Sequence, residues 1–207
     1  MRISNSFYII ILTLCFFLSF VAKAEESSFF NQKIEEGVLS SNAAMREGTQ
    51  HMLSTFKKNP KKYTPENIEH LDMKFEKGLD DICANCRYDV KFNRENNRNL
   101  PLFEEFKSYN SEMWSKIAND KGFIQQFKSY LQKVNKIEDL AYVINSNKAN
   151  INEVKQAFKE LFKNKKDELF EIIRKNRNLS ESLDIDNISD LTSEKISDIV
   201  ELIIKTP

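Results

Sequence analysis

Two cysteines three positions apart, in Cys83-Ala84-Asn85-Cys86, are the residues whose type and spacing point most directly to chemistry. Such a pair can close a structural disulfide, exchange disulfides with another protein, or supply two thiolates to a metal. Cys83 lies four residues after Leu79 and Cys86 four after Ile82, so both continue an apolar stripe toward a core. Their place at the end of an expected helix disfavours a reactive thiolate, because the helix dipole is negative there. A structural disulfide is therefore the leading reading, with thiol-disulfide exchange the alternative. The two histidines, His51 and His70, would complete a zinc set with Cys83 and Cys86, but they fall on different expected helices and far apart in sequence. Solvent-exposed histidine is the simpler reading, and no cofactor is implied.

Other chemistry is weakly signalled. The acidic pairs Glu35-Glu36, Asp80-Asp81 and Glu104-Glu105 read as solvated helix faces, since helical neighbours diverge by about 100°. No glycine-flanked serine, phosphate-cradling glycine loop or metalloprotease histidine pair occurs, so no constellation defines an enzyme. Lys155, Lys159, Lys163 and Lys166 form a basic row able to meet an acidic partner or an anionic surface. The segment from Leu179 to Pro207, with seven acidic residues against Lys195 and Lys205, could instead lie along that row. Asn178 and Asn187 match the N-glycosylation pattern, which matters only in a eukaryotic secretory route.

The elements that must position these residues begin with a leader. Arg2, the apolar run from Phe7 to Val21, and Ala22-Lys23-Ala24 make residues 1–24 a secretory signal peptide, too short in its apolar part for a membrane span. Its removal discards Cys15 and sends Cys83 and Cys86 to an oxidising periplasm or extracellular space. It leaves 183 of the 207 residues, a single domain over 25–207, with a net charge of about −2. That balance argues against a dedicated nucleic-acid binder.

Few glycines and prolines, many Lys, Glu, Leu, Phe and Ile, and spacings of three, four and seven predict an all-α fold. The expectation is an irregular bundle of about seven helices joined by short loops. One predicted helix carries Ile34, Val38, Met45, Met52 and Phe56 and ends at Asn59-Pro60. The next starts at Thr64-Pro65-Glu66 and carries Ile68, Leu71, Phe75, Leu79 and Ile82. Helices are also predicted after Pro101, around Leu140, after Asn150 and from Thr192. Tyr88, Val90 and Phe92 alternate with polar residues as a short extended segment, and the polar stretch 93–99 is the place for any subdivision. The functional expectation is an exported helical binding protein engaging another protein. The alternatives are a carrier of an apolar ligand such as a lipid, among its twelve remaining phenylalanines, and a thiol-exchange protein using Cys83 and Cys86.

Overall fold

The segment with the cleanest helical stripe is a strand. In the computed structural model, which describes residues 31–75, 82–95 and 97–207, β1 (Ile68–Lys74) pairs antiparallel with β2 (Arg87–Phe92). The register slips between Ile68 and His70, a bulge that sends Ile68 and Leu71 to the same core although they stand three apart. A bulged strand thereby copies the spacing of a helix. Cys83 and Cys86 lie in the connection that returns the chain to β2, not at a helix end. The leader over 1–24 and the pair Asp80-Asp81 lie outside the described residues.

Three more strands complete a mixed sheet in the order β1-β2-β3-β4-β5, so the all-α bundle is corrected to an α/β fold. β3 (Phe103–Lys107) stands where a helix is predicted after Pro101, and β4 (Leu140–Ile144) replaces the predicted helical piece around Leu140. β3 runs antiparallel to β2 and parallel to β4, while β4 runs parallel to β5 (Ile204–Lys205). Every residue of β3 and β4 is buried, the mark of central strands covered on both faces.

Alternation along these strands feeds two cores. Phe106 and Val143 face α1 (Ala43–Lys58), where they join Phe56, Tyr63, Leu71, Val90 and Phe92. Phe103, Leu140, Tyr142 and Ile144 face the larger layer of helices on the other side. That layer contains α2 (Ser111–Trp114), α3 (Lys121–Lys133), α4 (Ile151–Asn164), α5 (Lys166–Lys175), α6 (Arg177–Leu183) and α7 (Ser193–Ile203). Connections through α2–α3 and through α4–α7 keep the strands on either side parallel.

The helix starts follow local chemistry. Asp120 accepts the Phe123 N–H at 2.8 Å, Asn150 accepts that of Asn152 at 2.8 Å, and Thr192 accepts that of Lys195 at 3.1 Å. The break at Lys165 divides α4 from α5. The polar stretch 93–99 joins two hydrogen-bonded strands and is pinned by Arg94, whose guanidinium stands 2.8 Å from buried Asp139. No helix among the described residues is long and apolar enough to cross a membrane.

Candidate functional site

The β2–β3 ladder covers only Val90 opposite Glu104 and Lys91 opposite Phe103. Beyond it a side chain takes over the backbone's role: Asp89 Oδ2 accepts the Phe106 N–H at 2.7 Å, and the Asp89 N–H is 3.4 Å from Glu105 Oε2. The strands part at this point, and a cavity of about 310 Å³ opens beside Asp72, Asp89, Phe106 and Lys107. Met45 and Gly48 of α1 and the helical residues 31–39 form its other wall.

Residues 104 and 105 are adjacent in a strand, so they point to opposite faces, each only 1% exposed. Glu104 meets the Tyr63 hydroxyl at 2.8 Å and the Lys62 ammonium on the α1 side. Glu105 shares its face with Lys107, two residues on, whose Nζ donates to Oε1 at 2.5 Å. From α3, Gln126 and Tyr130, four apart and so on one helix face, close over the same carboxylate. Gln126 Nε2 donates to Glu105 Oε1 at 2.9 Å and to the Arg87 carbonyl at 2.7 Å, and the Tyr130 hydroxyl donates to Oε2. The pair Glu104-Glu105, expected on a solvated helix face, is thus corrected to two fully partnered carboxylates inside a sheet.

The electrostatics are those of anions packed more closely than they tolerate. Burial, the neighbouring Glu105 and, more weakly, Asp72 push the Asp89 carboxyl up to about 8, against the opposing pull of Lys107 and the Phe106 N–H. Burial works against the charge of Lys107, but Glu105 and Asp89 outweigh it and hold the ammonium protonated well above the ordinary lysine range. Burial, then Glu105, raises the Tyr130 hydroxyl far above its usual value, which keeps it a donor. Lys107 also lies 5.6 Å from the centre of the Tyr109 ring. Asp72, beside Asp89 across the hairpin, has a φ of 44°, a left-handed conformation that aspartate tolerates, and Arg87 Nε holds its carboxylate at 2.7 Å.

Asp89 and Lys107 line this cavity, whereas Glu105 does not reach it and is held on the α3 side. No group of three or more His, Cys, Asp or Glu side chains fit for a metal occurs among the described residues. The Lys107 ammonium and the Gln126 amide occupy Glu105 Oε1 and the Tyr130 hydroxyl occupies Oε2, so this donor set does not fit a divalent cation.

The residues singled out from the sequence lie elsewhere. Cys83 and Cys86 are bonded to each other, with Cα atoms 5.3 Å apart. His51 is buried on α1 and its Nε2 lies 3.0 Å from the Val143 carbonyl oxygen; burial lowers its pKa. His70 sits on β1, 3.5 Å from Glu69, so the four residues of the zinc set are not assembled. Lys155 pairs with Glu201 of α7 at 2.6 Å, while Lys159, Lys163 and Lys166 border a shallow depression between α4 and α7. Asn178 donates to Asn135 Oδ1 at 2.9 Å, and Asn187 precedes a short 3-10 turn.

Asp89, Glu105, Lys107, Gln126 and Tyr130 were not selected by sequence reasoning. Their signal is spacing: Glu105 and Lys107 share a face only on a strand, and Gln126 and Tyr130 only on a helix. Removing one hydroxyl tests the cluster. Tyr130→Phe leaves Glu105 Oε2 without its hydroxyl donor and should cost about 1–2 kcal/mol, read as a lower midpoint in urea unfolding at unchanged slope. No family model, curated protein or solved structure matches this chain.

Proposed function

We propose that this protein is a binding protein, exported by its leader, that holds a small apolar ligand with a polar end in the cavity where β2 leaves β3. The observation that carries the reading is the lining of that cavity, in which Met45, Met52, Leu71 and Phe106 supply an apolar wall and Asp89 and Lys107 a charged edge. Gln126 and Tyr130 fix the direction of Glu105, which in turn holds Lys107 in place.

Burying carboxylates and an ammonium costs several kcal/mol per ion before pairing repays it, and here each has partners inside the protein, so the network shapes and stiffens the cavity wall.

Titration with 1-anilinonaphthalene-8-sulfonate, an apolar probe with one charged end, tests the reading. Saturable fluorescence enhancement that is lost in Gly48→Phe, whose ring would fill the open space beside α1, is the expected result. Absence of saturable binding by the unaltered protein, or equal binding in the variant, would overturn it.

A further inference from the structure

One wall of the cavity is attached differently from the others. Ile34 and Gly37, from the helical residues 31–39, face it from one side, with Leu71, Asp72 and Phe106 of the sheet on the other. Within 31–39 only Gly37 is buried; Ile34 and Val38 are half-buried and Leu39 is 73% exposed. Little apolar surface holds this segment, and parts of a protein held so lightly open at small cost in free energy. The remaining walls are fixed: on α1, His51 Nε2 lies 3.0 Å from the Val143 carbonyl oxygen of β4, and Phe56 stacks on Tyr63 with ring centres 4.2 Å apart.

The contact between 31–39 and α1 is a close approach. A Cβ at Gly37 would stand 2.3 Å from Thr49 Oγ1 and 2.9 Å from its Cγ2. Thr49 does not give way cheaply, since its hydroxyl donates to the Met45 carbonyl at 2.9 Å within α1. Only glycine therefore lets the segment come down far enough to wall the cavity on that side. Between the two helical stretches the helix is interrupted at residues 40–42. α1 has a start of its own there: Asn42 Oδ1 accepts the Ala44 and Met45 N–H groups at 3.0 and 3.3 Å, so α1 stays capped whichever way the preceding residues lie. Arg46 Nη1 donates to the Ser40 and Ser41 carbonyls at 2.7 and 2.9 Å and ties the closed position down.

Resting on the reading of the cavity as a ligand site, we infer that residues 31–39 are a lid that swings about residues 40–42 to admit the ligand, with Gly37 seated on Thr49 in the closed position. Opening breaks the light contacts of Ile34 and Val38 and the two Arg46 hydrogen bonds, and leaves α1 and the sheet as they are. It uncovers the apolar wall of Met45, Met52, Leu71 and Phe106. A hinge of a few residues between two separately capped pieces is what such a motion requires.

A disulfide across the closed contact tests the lid. The Cβ position of Gly37 lies 3.1 Å from Thr49 Cβ, close to the roughly 3.5 Å at which disulfides begin, so Gly37→Cys/Thr49→Cys should lock the segment down. In stopped-flow mixing, association and release of 1-anilinonaphthalene-8-sulfonate should both be about tenfold or more slower than in Gly37→Ser/Thr49→Ser, whose side chains are similar in size and cannot bond. Gly37→Val, which drives the segment off Thr49, should speed both. Equal rates in the bonded and unbonded variants, or slower rates in Gly37→Val, would overturn the lid. If the unaltered protein binds no probe, the ligand reading falls by itself and hydrogen exchange decides whether the segment opens. Amides of residues 35–39 that exchange well ahead of those inside α1, and slow once the bond is formed, support the lid; protection equal to that of α1 in the unaltered protein overturns it.

Discussion

Asp89→Asn is expected to raise the melting temperature at alkaline pH. Asparagine keeps an oxygen for the Phe106 N–H but no longer brings a negative charge to Glu105. The folded-state pKa of Asp89, about 8, lies above the ordinary carboxylate value, so the folded chain holds a proton that the unfolded chain releases. Below about pH 4 both states are protonated and aspartate carries no penalty. As pH rises from there through 8 the penalty grows, and above 8 it is complete. The variant should match the natural protein near pH 4 and exceed it near pH 9 by on the order of 1–3 kcal/mol, or roughly 3–8 °C in melting temperature. Because the variant alters charge only at residue 89, their difference across pH reports Asp89 together with the Glu105 and Lys107 groups it faces. A variant no more stable at pH 9 than at pH 4, relative to the natural protein, would contradict this electrostatic picture.

Phe158→Ala is the second large effect, and it acts through the scaffold. Phe158 on α4 is fully buried, with ring centres of Tyr142, Phe123, Phe127 and Trp114 at 5.1, 5.6, 5.8 and 5.9 Å. It locks β4, α2, α3 and α4 into one layer, and α3 is the element that brings Gln126 and Tyr130 to Glu105. Removing a buried phenyl ring costs about 3–5 kcal/mol through lost burial and the cavity left behind. For a chain of this size that corresponds to a fall of roughly 6–20 °C in melting temperature, measurable by circular dichroism. A fall of a degree or two would mean that the aromatic layer is not packed as described.

The parts of the fold legible in the sequence are those whose signals are local. α4 and α7 begin at Asn150 and Thr192 because a short polar side chain there captures free N–H groups, and their apolar faces have the period of a helix. Tyr88, Val90 and Phe92 alternate and form β2. β1 was hidden by its bulge, which turned a period of two into a spacing of three between Ile68 and Leu71. β3 and β4 were hidden by burial on both faces, which removes alternation and leaves short apolar runs that read equally well as helix.

The site was invisible for a related reason. Glu104-Glu105 looks like solvated surface because carboxylates inside a sheet need partners, and these come from distant parts of the chain: Lys62 and Tyr63 for one, Lys107, Gln126 and Tyr130 for the other. Cys83-x-x-Cys86, by contrast, carries its signal in four residues. Local chemistry was readable, whereas chemistry assembled across the sheet was not.

The central claim is that the cavity beside Asp89 and Lys107 holds a small apolar ligand, and native mass spectrometry of the freshly purified protein tests it most directly. A lipid-sized adduct that is absent from Gly48→Phe is the predicted result. A spectrum free of adducts in the natural protein, or the same adduct in both proteins, would contradict the account.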